Sequence, residues 1–392
     1  MKPFPSHFHQ LTSILNFIIS TSSRGVSGRW PCPARQAAWK SAPCRLTRSC
    51  SDDGDAPGYF FWRLPLIPSH VARALTTLLP IRQPVFLWGP PGVGKSQIVA
   101  QTAAALGLEL IDIRAVLLDP VDLRGLPQID ANGRTHWRAP AFLPTSGQGV
   151  LFLDELNAAP PLVQAACYQL ILDRALGEYR LPDGWTVIAA GNRDQDRAVT
   201  HRMPTALANR FVHLEIEPHL EDWIAWAEAA GIASEVTAFL RFRPALLHDF
   251  DPTRAVRSFP TPRSWEFVST MLQGAPDPQV ELELLRGAVG DGAALEFSGF
   301  LRTWRELPDT DAVLADPDAA PAPVEPAAAY AICEALGRLA CPDVMPALTR
   351  YAARLPVEFG VLLMRDAVRR DSRTAKTPSF AAWARDNAEV FV

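Results

Sequence analysis

Gly89-Pro90-Pro91-Gly92-Val93-Gly94-Lys95-Ser96 constrains the fold more than any other stretch of the chain. It satisfies the pattern G-x-x-x-x-G-K-[ST] in full. The apolar run Val85-Phe86-Leu87-Trp88 precedes it, and a helix-compatible run from Gln97 to Leu106 follows. A loop of this kind between a strand and a helix is built for phosphate. Glycines let the backbone curl until its N–H groups converge, and the helix N-terminus adds the positive end of its dipole. Lys95 then reaches the outer phosphates, and the Ser96 hydroxyl is placed to ligate Mg²⁺. The bland alternative, a glycine-rich turn that binds nothing, does not explain the complete pattern behind a strand.

A second motif follows at Gly149-Val150-Leu151-Phe152-Leu153-Asp154-Glu155. Four consecutive apolar residues suit a strand buried on both faces, and the run ends in two carboxylates. Ligands of open α/β sheets sit at the carboxyl ends of the strands, where the loop at Gly89 also belongs. Asp154 is therefore expected to hold Mg²⁺, through water, and Glu155 to take the proton of an attacking water. Alone, such a pair reads as a solvated turn; behind a complete phosphate loop the functional reading is preferred. Trp185-Thr186-Val187-Ile188-Ala189-Ala190-Gly191-Asn192 reads as the next buried strand, with Asn192 at its carboxyl end. From the residues alone, an ordinary Gly-Asn turn is the preferred reading of Asn192, over an amide facing the same site.

Other elements fall around these strands. Pro68 to Leu79 reads as a helix, Leu108 to Ile113 as a strand, and Gln128 to Arg138 alternates around Asn132-Gly133, a strong hairpin signal. Pro160 to Leu176 reads as a helix, Thr205 to Phe211 as a short helical run and Val212 to Ile216 as a closing strand. Beyond Glu217 the pattern turns helical, with helices expected at 220–230, 233–242, 263–272, 279–288, 330–339 and 346–369. Residues 306–326 are rich in Pro, Ala and Asp and read as a linker. Trp223 and Trp226, at helical spacing, read as core.

Residues 1 to about 57 differ from the rest: no Asp or Glu precedes Asp52, while Lys2, Arg24, Arg29, Arg35, Lys40, Arg45 and Arg48 are present. Such a composition matches a transit peptide, Leu11 to Ile19 suggests a weak secretory core, and the favoured reading is a disordered tail or an upstream extension. Cys32, Cys44 and Cys50 lie here; the 6 cysteines form no C-x-x-C pair, which leaves reduced thiols as the expectation. His7 with His9 is a poor metal signal. The net charge of −4 argues against a dedicated nucleic-acid binder. No run reaches the roughly 18 apolar residues of a spanning helix.

Taken together, GPPGVGKS, LFLDE and VIAAGN resemble an AAA+ ATPase, and within that class the MoxR type. The resemblance runs from about residue 60 onward and is most specific between Gly89 and Arg263. ALANRF looks like the segment that presents an arginine finger, PTPRSWEF like the start of the sensor 2 helix, and the Asn-Gly hairpin like the helix-2 insert of this clade. The implied fold is an α/β P-loop NTPase core, a parallel sheet flanked by helices, followed by an all-helical lid and C-terminal helices. The expected boundaries are 58–217 for the core, with the insert near 126–140, 218–305 for the lid, 306–327 for the linker and 328–392 for the C-terminal helices.

The resemblance also implies roles. Gly89, Pro90, Pro91, Gly92, Val93, Gly94, Lys95 and Ser96 would form the Walker A loop for ATP. Ser96 and Asp154 would serve Mg²⁺, and Glu155 would be the Walker B base. Asn192 would be sensor 1. Arg210 would reach a neighbour's ATP across a subunit interface, although Arg197 and Arg202 are near enough to be confused with it. Arg263 would sense nucleotide from the lid. The implied activity is Mg²⁺-dependent ATP hydrolysis by a cytoplasmic ring homo-oligomer, a hexamer by analogy. It would remodel a protein client, such as a von Willebrand A domain protein. A nucleic-acid motor and a nucleotide-switched binding module are the alternatives. The interleaved Arg124, Arg134, His136, Trp137 and Arg138 favour nucleic acid only weakly, and the lack of an N-K-x-D motif favours ATP over GTP.

Overall fold

The computed structural model describes residues 65–196, 203–254 and 256–387; the segment 1–57 and Arg197 and Arg202 lie outside them. The first half is an α/β unit. Helix α1 (Pro68–Leu78) leads to strand β1 (Val85–Trp88), the phosphate loop, and helix α2 (Lys95–Ala105). Strand β2 (Glu109–Arg114) and the short helix α3 (Pro120–Arg124) precede a hairpin of β3 (Leu126–Ile129) and β4 (Thr135–Arg138). Strand β5 (Gln148–Asp154) feeds helix α4 (Pro161–Asp173), a small hairpin of β6 (Ala175–Leu176) and β7 (Tyr179–Arg180), and strand β8 (Gly184–Gly191). Helix α5 (Thr205–Ala208) and strand β9 (Val212–Glu215) close the unit.

The central sheet has five strands in the order β2-β5-β8-β1-β9, all parallel. Val150, Leu151, Phe152 and Leu153 of β5 are fully buried, as a strand covered on both faces by helices requires. Phe86, Leu151, Leu153, Trp185 and Val163 form the core on one face, whereas Val71, Leu75, Val85, Val99 and Phe152 form it on the other. Since every strand runs the same way, the β1, β5 and β8 ends all point to one edge, which places Gly89, Asp154 and Asn192 together. The β3–β4 hairpin turns at Asn132-Gly133, as its sequence predicts. Asp130 Oδ1 accepts the N–H groups of Asn132 and Arg134 at 2.9 and 2.8 Å, and Gly133 takes a positive φ of 77°.

The second half is helical: α6 (Leu220–Ala230), α7 (Ser234–Phe242), α8 (Pro262–Gln273), α9 (Pro278–Val289) and α10 (Asp291–Arg305) pack around Phe239, Trp265 and Phe297. Trp223 joins that core, with Trp226 against it. Helices α11 (Thr310–Ala315), α12 (Pro326–Arg338), α13 (Met345–Ala352), α14 (Val357–Arg370) and α15 (Pro378–Asp386) form another cluster.

The helical half departs from expectation in particular places. Residues 306–327 are not a free spacer. Val313 of α11 is buried, Tyr351 Oη donates to the Pro321 carbonyl at 2.6 Å, and Arg354 Nη1 donates to the carbonyls of Pro317 and Ala320 at 2.6 Å. Proline removes helical hydrogen bonding but not the ability to pack, so composition misleads here. The single helix expected over 346–369 is two, parted before Pro356, whose ring cannot continue the first. Within the expected helical lid no separate helix is named at 291–305, where Gly292 and Gly299 dilute the pattern; α10 nevertheless forms there and buries Phe297 and Phe300.

Candidate functional site

The loop between β1 and α2 adopts the curled backbone that phosphate binding needs. Gly92 and Gly94 have φ of 75° and 94°, values at which a Cβ is strained. Gly94 caps α2, so Lys95 and Ser96 open the helix at its positive dipole end. Lys95 is 9% exposed. Its Nζ donates to the carbonyls of Gly89 and Pro90, at 2.8 and 3.1 Å, and to Asn192 Oδ1 at 3.0 Å. Burial pushes the Lys95 ammonium down to about 8; Arg263 adds to this effect, while Asp154, Asp196 and Glu155 oppose it.

Asp154, the last residue of β5, accepts a hydrogen bond from Ser96 Oγ at 3.0 Å through Oδ2. Its Oδ1 accepts the Glu155 N–H at 2.9 Å. Glu155 is exposed and sits at φ 56° and ψ 32°, a left-handed conformation that costs a non-glycine residue of order 1 kcal/mol. Beside β5, Arg114 of β2 lies in register with Asp154, and burial together with the Asp154 charge raises the Asp112 carboxyl above its usual range.

The lid reaches the same place. Thr261 caps α8 in a reciprocal box with Ser264, accepting its N–H at 3.0 Å and donating its own N–H to Ser264 Oγ at 2.7 Å. A Cβ on Gly92 would lie 2.8 Å from Thr261, so loop and lid touch there. Arg263, in the first turn of α8, is exposed, and its charge acts on Lys95. His248 Nε2 lies 3.3 Å from the Pro91 carbonyl. A cleft of about 420 Å³ beside the loop is lined by Pro90, Arg193, Asp196, Glu217, His248 and Phe250. Arg193 pairs with Asp196 at 3.1 Å and Glu215 at 3.2 Å.

Lys95, Ser96, Asp154 and Asn192 thus converge, Glu155 follows Asp154 directly, and Arg263 lies near enough for its charge to act on Lys95. Arg210 does not join them. It precedes β9, whose Val212 pairs with Val85 at the amino end of β1, whereas the phosphate loop follows Trp88. At about 3.3 Å per residue, the length of β1 puts Arg210 roughly 13 Å or more from its own site. Its side chain is exposed, while the adjoining Phe211 anchors the segment against Phe86.

Residues 84–211 match the model of the AAA domain, dynein-related subfamily. The chain is 30% identical to Protein MoxR of Paracoccus denitrificans over 134 residues, which are 33% of this chain and 39% of that protein. The loop, the strand order and this match agree. The core is an AAA+ domain of MoxR type. The chain is also 34% identical to ATPase family gene 2 protein homolog B of Homo sapiens over 137 residues, 32% of this chain but only 17% of that protein. The chain therefore spans well under half the length of these relatives. Among solved structures, NtrX from Brucella abortus in complex with ATP aligns at a TM-score of 0.36 and 15% identity, over 84% of this chain and 70% of that one.

The residues of this AAA+ site fit Mg²⁺ and a polyphosphate. Ser96 Oγ and Asp154 Oδ2 are hard oxygen donors already drawn together, the set Mg²⁺ prefers. Among the described residues no cluster of three or more His, Cys, Asp or Glu side chains is placed to hold a metal by itself. A cation shared with a nucleotide's own phosphates requires none. Sequence reasoning passed over Asp112, Asn157, Arg193, Asp196, His248 and Thr261. Of these, only Thr261 carried a legible signal, a capping residue before Pro262.

Proposed function

We propose that the protein hydrolyses ATP in a Mg²⁺-dependent manner and uses that cycle to remodel a partner protein in the cytoplasm. The observation that carries the reading is the convergence of Lys95, Ser96–Asp154, Glu155 and Asn192 at the carboxyl ends of β1, β5 and β8. Lys95 and the loop amides bind the phosphates. Ser96 and Asp154 hold Mg²⁺, which neutralises phosphate charge when bound. Glu155 takes the proton of the attacking water, and the Asn192 amide orients that water against the terminal phosphate. Arg263 answers to the nucleotide from the lid.

The position of Arg210, at the far edge of the sheet from its own Lys95, supports a site completed by a second copy of the chain. A ring is the closed arrangement in which every site receives such an arginine, with six subunits as the proposed number. The client is proposed to be a protein, with a von Willebrand A domain protein as the first candidate by analogy to MoxR.

Turnover per protomer is expected to rise with protein concentration. Arg210→Ala should lower it by roughly 10³-fold while ATP binding persists, the scale of a missing arginine finger. Concentration-independent turnover by a monomer would refute the shared site. Glu155→Gln, which binds but does not hydrolyse, should co-purify with its client in ATP. Nuclease-sensitive enrichment of nucleic acid in that trap would replace the protein client with a nucleic-acid track.

A further inference from the structure

Asn157 stands among the residues described above without a task of its own. It follows Glu155 by two positions, in the 3-10 turn Leu156–Ala158, and is 3% exposed. Its Nδ2 donates to the backbone carbonyl of Asn192 at 2.8 Å. Its Oδ1 lies against Gly191, where a Cβ would come within 2.1 Å of it, so a side chain at 191 would expel the amide.

A polar path runs through this contact. Tyr168 Oη donates to Gln164 Oε1, and Gln164 Nε2 donates to the carbonyl of Ala159 at 2.9 Å and reaches that of Asn157 at 3.5 Å. Asn157 then binds the Asn192 peptide, and Asn192 Oδ1 accepts from Lys95 Nζ. The surroundings are apolar, with Leu156, Val163 and Cys167 fully or almost fully buried.

Burying an amide here costs desolvation that only its hydrogen bonds offset. The paired register of β8 with β1 ends at Gly191↔Trp88, one residue short of Asn192. The peptide of Asn192 lies beyond the ladder, and Asn157 is what ties its carbonyl to the turn that also carries Glu155. One turn therefore follows Glu155 directly and holds Asn192.

We propose that Asn157 is a positioning residue that sets the Asn192 amide against the terminal phosphate and keeps it in register with Glu155. This deepens the hydrolysis reading and rests on it. The experiment is Asn157→Leu in the full chain, with steady-state turnover, separate ATP and ADP dissociation constants, and thermal melting. Turnover should fall about tenfold to hundredfold, the scale on which a misplaced reacting group acts. ADP affinity should stay within about threefold, and the preference for ATP over ADP should shrink. In an Asn192→Ala background the same substitution should cost little more, since its effect passes through Asn192.

Turnover and ATP preference at wild-type levels in a cooperatively melting Asn157→Leu would overturn the proposal, as would losses that multiply in the double variant. Should Asn157→Leu not melt cooperatively, Asn157→Ala, which removes the donor without adding bulk, takes its place under the same criteria. A wild type that binds ATP without turning it over would defeat the hydrolysis reading alone. The ATP-to-ADP preference would then decide the role of Asn157.

Discussion

Two buried cations, Lys95 in the core and Arg241 in the helical half, are held in opposite ways. Lys95 is met by neutral oxygens: two backbone carbonyls and the Asn192 amide. Arg241, on α7, is met by carboxylates: Glu334 of α12 at 3.0 Å, Glu228 of α6 at 3.3 Å, and Asp366 of α14 in direct contact. Arg370 pairs with Glu334 at 2.6 Å, and Thr237 donates to the same carboxylate at 3.1 Å. Burial pushes the Glu334 carboxyl up, but Arg241 and Arg370 outweigh it and hold the group below its ordinary range. Weak neutral partners leave a lysine whose hydrogen bonds an incoming phosphate can take over easily. Ion pairs to three carboxylates leave an arginine fixed, and here they fasten lid helices to C-terminal helices.

The sharpest way to test the contrast is to delete each cation's function. Lys95→Met should weaken ATP binding by at least about hundredfold, because a buried phosphate contact to a charged group contributes on the order of 3 kcal/mol. Equilibrium titration checks this, and unchanged affinity would break the assignment of the loop. Glu334→Ala should do the reverse. It should cost about 3–5 kcal/mol of stability by leaving Arg241 and Arg370 each one buried carboxylate short, with ATP affinity of the folded protein unaltered. Chemical denaturation reads that loss; an affinity change instead would mean that the ionic cluster belongs to the nucleotide site.

The smaller test is pH. The unfolded chain protonates Lys95 at 10.5 but the nucleotide-free fold only at about 8, so between those values the unfolded state binds more protons. Stability of the nucleotide-free protein should therefore rise with pH through that window, by up to about 3 kcal/mol. Lys95→Met should flatten the difference. Glu334 works in the other direction: its lowered carboxyl stabilises the fold above its unfolded value of 4.5, and that contribution is lost as pH falls through the folded value. Melting curves of wild type and Glu334→Gln in acid would show whether the cluster behaves so.

The phosphate loop and the β5 carboxylates were legible in the sequence because each is a contiguous pattern whose chemistry is local, whereas Asn192 alone read as a turn and took a role only from the resemblance. The direction of parallel strands then brings their ends together. Asn157 was not legible: an asparagine two residues past Glu155 has no signature until Gly191 and Asn192 are seen against it. The packed segment 306–327 was read as a linker because proline-rich composition does not report the Tyr351 and Arg354 contacts that hold it.

By itself, then, the sequence determined the strands β1, β5 and β8, the phosphate loop and the identity of the carboxylates, since hydrophobic period and loop chemistry are properties of neighbours in the chain. Only the tertiary structure decided that the charge of Arg263 acts on Lys95 while Arg210 lies at the opposite end of the strands from the phosphate loop. It also decided that Glu228, Arg241, Glu334 and Asp366 share one buried cluster. Those are distances between residues far apart in the chain, and they exist only once sheet and helices have packed.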